Sequence, residues 1–327
     1  MKNIVSKHSN IHVTKKIAAF GTAKKKRTKV MLTDFMCQVA EMLEARGHIR
    51  TKEIYISTLK SFMAFRQGKD IALAEINSDI MTLYESYLFH DRGISRNSSS
   101  FYMRAFRSVY NRAVNNGLVV DSHPFKDVYT GIDKTVKRAL PLKVIKQIKN
   151  LDLSLMPSLD FARDMFLFSF YTRGMSFVDM AYLRKSNLKN GVLSYRRRKT
   201  GQLLHVKWEK CMQSIVDKWG IVTSDYLLPI IVNENKNERL QYQSALCTTN
   251  MLLKELATMI GLSQPLTTYV ARHSWASIAH SKNIPLSVIS ECMGHDSEKT
   301  TQIYLASLES TIVDKANSLV LNALHGK

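Results

Sequence analysis

One stretch constrains this chain more than any other: residues 267–304, which read TTYVARHSWASIAHSKNIPLSVISECMGHDSEKTTQIY. Arg272 and His273 interrupt an apolar helical pattern, a Gly294-His295 pair follows, and Tyr304 closes the run nine positions after that histidine. No residue type here is informative alone. Their spacing is, because Arg-His on one helix, Gly-His at the next turn and a lone tyrosine beyond it gather a cation, an imidazole and a phenol.

Such a set suits attack on a phosphodiester. Free tyrosine titrates near ~10 and is a poor nucleophile at neutral pH, so a cation must favour its ionised form and neutralise the phosphate it approaches. Arginine holds two phosphate oxygens in its planar fork and keeps its charge. Histidine hydrogen-bonds the same phosphate or takes a proton. The segment resembles the C-terminal signature of the tyrosine recombinases, the integrase and invertase class of site-specific DNA recombinases. Their pattern is H-x-x-R-H, then G-H, then tyrosine; here it reads Tyr269-x-x-Arg272-His273, Gly294-His295 and Tyr304. The departure is Tyr269, where the family usually has histidine.

Two further boxes extend the resemblance. Residues 171–180, YTRGMSFVDM, are similar to the family's first arginine box, T-G-x-R-x-x-E-L. Aligning Asp179 with its acid puts Ser176 at the arginine position, and Arg173, a helical turn earlier, is the expected substitute; a surface or capping arginine is the alternative. Lys199-Thr200-Gly201 closes a hairpin of residues 192–196 and 203–207, where the family carries its catalytic lysine. Arg197, directly after the first of these strands, is a second candidate for the missing arginine.

The resemblance implies roles for these residues. Tyr304 attacks a DNA phosphate, leaving a 3′-phosphotyrosine and a free 5′-hydroxyl, and rejoining needs no ATP. Arg272 with Arg173 or Arg197 neutralises the transition state, His295 binds it and assists proton transfer, and Lys199 is the general acid. Tyr269 donates a hydrogen bond, while Asp179 and His273 support the groups that touch DNA. No metal or other cofactor is expected, since the scattered aspartates form no cluster to hold Mg²⁺. The expected partner is double-stranded DNA with specific recombination sites, bound by a homotetramer in the synaptic complex; integration, excision and inversion remain open. Because Ser176 and Tyr269 depart from the pattern, a catalytically weakened relative acting as an architectural or regulatory DNA-binding protein is the alternative. A type IB topoisomerase is a third reading, disfavoured by the helical N-terminal part and the compact length.

Composition agrees with a polyanionic partner. The 327 residues carry 47 Lys and Arg against 27 Asp and Glu, a net charge of +20. No apolar run approaches the ~20 residues that span a bilayer, and no secretory signal is read, so a cytoplasmic location is expected. The four cysteines are far apart and suggest no disulfide framework.

The expected fold is mainly α with a small β-sheet (α+β): a helical core-binding domain plus a mixed α/β catalytic domain, together clamping DNA. Residues 1–29 form a basic arm whose Lys24, Lys25, Lys26 and Arg27 either lie along phosphates or are a solvated tail. Residues 30–120 carry four helical patterns, at 31–46, 53–66, 77–87 and 98–116. In the fourth, Tyr102, Ala105, Phe106, Val109 and Ala113 face inward, while Ser100, Arg104, Arg107 and Asn111 form a polar row fit to enter a groove or bracket phosphates. A basic linker at 121–139 leads to the catalytic domain, 140–327, with helices at 142–149, 158–171, 212–219 and 238–260. Its last helix, 308–324, folds back on its own domain or docks on a neighbouring protomer.

Overall fold

Apolar residues at 32, 35, 36, 39, 40 and 43 recur at helical spacing, and all six are buried on helix α1, Leu32–Ala45. Gly47, at φ +75°, ends it: the Gly47 amide donates to the Glu44 carbonyl and that of His48 to Leu43. Helix α2, Ile49–Phe65, begins earlier than the apolar pattern predicts, with Lys52 of its polar first turn pairing with Glu44 at 2.6 Å. Asn77 caps α3, Ser78–His90, and Ser95 caps α4, Arg96–Asn115, each side chain accepting from an amide of the first turn. Phe62 anchors this core, its ring edge-on to Tyr84 and to Phe106.

The computed structural model describes residues 29–133, 138–305 and 321, with 303–305 described by backbone alone. They belong to two compact units dividing between residues 134 and 135. The arm with Lys24, Lys25, Lys26 and Arg27, and all of 308–324 except Leu321, lie outside the described residues.

The stretch expected to be a linker is, over residues 121–133, part of the first unit. Phe125 and Val128 are buried in its core, and the Ser122 hydroxyl donates to the Ile76 carbonyl. Arg96 lies 3.9 Å from the Tyr129 ring centroid, and the Tyr129 hydroxyl donates to Asp133 at 2.6 Å. Ser100, expected with Arg104, Arg107 and Asn111 on the row of α4 that enters a groove or brackets phosphates, is instead buried and donates to the Gly131 carbonyl at 2.5 Å.

In the second unit Pro141 precedes α5, Leu142–Lys149. The nearly all-apolar α6, Pro157–Tyr171, is buried along most of its length and is the centre of the core. Its one cationic residue, Arg163, is satisfied by Asp160, by Asp164 at 2.7 Å and by the Leu151 carbonyl at 2.9 Å. A short helix, α7, Phe177–Ala181, leads into a three-stranded antiparallel sheet: β1, Leu188–Lys189; β2, Val192–Arg196; β3, Leu203–Lys207. Alternation puts Leu193 and Tyr195 of β2 and Leu204 and Val206 of β3 on the core face. Among the described residues five helices follow: α8, Lys210–Trp219; α9, Glu238–Met259; α10, Thr268–Ser281; α11, Leu286–Met293; and α12, Glu298–Leu305.

Candidate active site

Arg272 sits on α10 and is only 3% exposed, so its guanidinium must find acceptors inside the protein. Nη1 donates to the Gly174 carbonyl at 2.8 Å, and Nη2 to the Met293 carbonyl at 2.6 Å. Nη2 also donates to His295 Nε2 at 2.9 Å. One cation thus joins the turn after α6, the end of α11 and the loop before α12.

Gly174 permits this approach. Its φ is +74°, and a Cβ there would fall 2.7 Å from the Arg272 Cα. Gly294, which caps α11 at φ +63°, is similarly enclosed: a Cβ there would fall 2.9 Å from Leu204 Cδ1. The Gly294 carbonyl accepts from Arg197 Nη1, so the two buried guanidiniums rest on successive carbonyls, 293 and 294.

An arginine nitrogen can only donate, so His295 Nε2 accepts. A neutral ring then carries its proton on Nδ1, which lies 2.8 Å from Thr301 Oγ1. Burial pushes the imidazole pKa down to about 4, helped by the charges of Arg272, Arg197 and Lys199, which disfavour a further cation. Lys199 itself is exposed on the β2–β3 turn, where Gly201 takes φ +75° and its amide donates to the Arg197 carbonyl.

Arg173 is not one helical turn along from Ser176, as expected, but in the turn after α6 at φ +63°, its Nη1 donating to the His205 carbonyl of β3 at 3.2 Å. Ser176 caps α7, its hydroxyl donating to Asp179 at 2.6 Å. The other Asp179 oxygen accepts from the Arg198 amide at 2.8 Å. The hydrogen bonds described for Asp179 therefore reach a hydroxyl and a peptide rather than guanidinium groups, and they pin the turn between Arg197 and Lys199. Arg198 adds a second anchor, 3.8 Å from the Tyr182 ring centroid.

Tyr269 is 48% exposed on α10, its ring edge-on to the largely buried His273 at 4.8 Å between centroids. The backbone of Tyr304 lies in α12, one turn beyond the fully buried Thr301. Sequence reasoning passed over Thr301, because nothing in TTQIY separates it from Thr300. It also passed over Tyr195, a phenol of β2 near Arg272, Arg197 and Arg173; burial outweighs these cations and holds its pKa well above the ordinary tyrosine value. In the first unit, Arg107 and Asn111 are exposed and Arg104 half-buried on α4, with Arg107 Nη1 donating to Thr130 at 3.1 Å. No group of three or more His, Cys, Asp or Glu among the described residues converges as a metal site would.

The phage integrase family model matches residues 145–311, which include Arg173, Arg197, Lys199, Arg272, His295 and Tyr304. The chain belongs to the phage integrase family. Its members are tyrosine recombinases, enzymes of site-specific recombination that break and rejoin DNA. The phage integrase SAM-like domain matches residues 31–130. The tyrosine recombinase XerC of Pediococcus pentosaceus is 24% identical over 272 residues, covering 78% of this integrase-family chain and 86% of XerC. In fold, the chain is similar to a lambda integrase tetramer bound to a Holliday junction, with a TM-score of 0.62 and 16% identity over 93% of this chain and 89% of that one. It is also similar to XerH in a post-cleavage complex with a palindromic difH substrate, with a TM-score of 0.60 and 15% identity over 90% of each chain.

Proposed function

We propose that this chain recombines DNA at specific sites through a covalent 3′-phosphotyrosine on Tyr304. The observation that carries this reading is that Arg272 and Arg197 rest on the Met293 and Gly294 carbonyls, which lead from α11 toward the helix bearing Tyr304, while Arg272 also holds the His295 ring. Two guanidiniums held in this way are preorganised, so stabilising the charge that develops on a phosphate costs little reorganisation. Arg272 and Arg197 bind the scissile phosphate, and Arg173, held on the His205 carbonyl, contributes to DNA contact. Neutral His295, its Nδ1–H turned to Thr301, has only the Nε2 lone pair to offer and accepts a proton there, and Lys199, on its exposed turn, protonates the leaving 5′ oxygen. The covalent bond conserves the energy of the broken linkage, so rejoining requires no ATP. Tyr269 supplies a hydrogen bond in place of the usual imidazole and takes no proton near neutral pH.

The first unit binds the duplex through α4, with Arg104, Arg107 and Asn111 toward the DNA, and the arm with Lys24, Lys25, Lys26 and Arg27 adds phosphate contacts. Lambda integrase has been seen as a tetramer on a Holliday junction. The same assembly is proposed here, with four copies on two sites.

The test begins by selecting a binding duplex from a random-sequence pool with the Tyr304→Phe protein. A version of that duplex nicked so that the short fragment bearing the new 5′-hydroxyl is lost on cleavage traps a covalent adduct. Wild type forms the adduct and Tyr304→Phe binds without forming it. A sequence-selective wild-type protein that never forms an adduct would instead be a DNA-binding relative without cleavage activity.

A further inference from the structure

Two adjacent threonines precede the proposed nucleophile, and they occupy different environments. Thr300 is exposed near the start of α12, its hydroxyl 3.4 Å from that of Ser297. Thr301 is fully buried, its hydroxyl 2.8 Å from His295 Nδ1. Helical geometry explains the split, since successive residues point about 100° apart and only one of the pair can face the imidazole.

We propose that Thr301 is a positioning residue: its hydroxyl fixes His295 in the Nδ1–H tautomer and so ties the helix bearing Tyr304 to the Arg272 guanidinium. This rests on the reading of Tyr304 as nucleophile only for its effect on cleavage; the tautomer itself follows from the contacts. Arg272 Nη2 donates to Nε2 at 2.9 Å, so a proton on Nε2 would set donor against donor. Keeping Nε2 unprotonated requires an acceptor for Nδ1–H, and Thr301 Oγ1 lies on that side. Without the hydroxyl, Nδ1–H loses the acceptor 2.8 Å away, and moving the proton to Nε2 breaks the contact with Arg272 instead. Either outcome loosens the connection between α12 and α10. Tyr304 is three positions beyond Thr301 on the same helix, so the connection sets where that residue is held.

Two variants of the full chain test this. Thr301→Val keeps the branched shape and removes the hydroxyl, and Thr301→Ser keeps the hydroxyl. The tautomer is read from the ¹⁵N shifts of the His295 ring, assigned by difference from His295→Gln, with no DNA present. The cleavage rate is read under single-turnover conditions on the nicked duplex selected with Tyr304→Phe. Expected are a protonated Nδ1 and an unprotonated Nε2 in wild type, and loss of that pattern in Thr301→Val. That variant should cleave about tenfold or more slowly while binding within about twofold of wild type, and Thr301→Ser should recover to within about threefold. A wild-type ring protonated on Nε2, a Thr301→Val protein that keeps both tautomer and rate, or a Thr301→Ser protein as slow as Thr301→Val overturns the proposal. An adduct formed by Tyr304→Phe overturns the nucleophile instead and leaves the tautomer measurement standing.

Discussion

The Gly174 carbonyl accepts from Arg272 Nη1 at 2.8 Å, and the Gly174 Cα lies so close beneath that arginine that a methyl group there would meet its backbone. Gly174→Ala therefore meets two obstacles, a left-handed φ and a steric clash. It is expected to destabilise the second unit by roughly 2–4 kcal/mol and to abolish cleavage by displacing Arg272. Gly201→Ala, in the β2–β3 turn at a similar φ of +75° but with nothing within 4 Å, meets only the first and should cost about 1 kcal/mol. Urea unfolding of both variants separates the two effects.

His295 predicts a characteristic pH response. With its folded pKa at about 4, the imidazole remains neutral through the physiological range, so cleavage should show no loss assignable to it between pH 8 and 5. Stability behaves differently. The unfolded imidazole binds a proton near its ordinary value of ~6.5 and the folded one does not, so the unfolded state holds more protons between these values. Stability should fall as pH drops through that window, and His295→Gln should flatten that part of the curve. Thermal unfolding across the pH series measures it.

Arg197 and Arg173 should not be equivalent. Arg197 is buried and held on the carbonyl next to the one that holds Arg272, whereas Arg173 reaches the His205 carbonyl on β3. Arg197→Ala is expected to slow adduct formation by about 10²–10³-fold with binding largely kept, and Arg173→Ala by much less. Arg197→Lys should not restore the rate, because an ammonium lacks the planar fork. Single-turnover rates on the selected duplex decide between the two arginines.

Arg96→Ala tests the packing of the segment after α4. Removing the guanidinium over Tyr129 and its 3.9 Å contact with Asp133 should raise amide hydrogen exchange across residues 130–133, with α1 and α2 unaffected.

Much of this architecture was legible where local chemistry and tertiary packing agree. The strands at 192–196 and 203–207 and the helix at 142–149 follow alternation, turn residues and apolar spacing that need no long-range information. The start of α2 was hidden because its first turn is polar and is held by an ion pair to the preceding helix. Residues 121–133 read as a linker because their few apolar side chains show no periodicity, yet Phe125 and Val128 fill space that only the folded helices create. Within the site, side chains announced themselves by type and spacing. The carbonyls of Gly174, Met293 and Gly294 did not, since every peptide carries one and only the fold selects which will meet a guanidinium.

The most direct measurement is to digest the trapped protein–DNA adduct and locate the modified residue by mass spectrometry. The account predicts a nucleotide linked through its 3′ phosphate to the phenol of Tyr304, on the peptide that also contains Thr301. A nucleotide on Tyr269, Tyr195 or any other side chain, with Tyr304 unmodified, would contradict it.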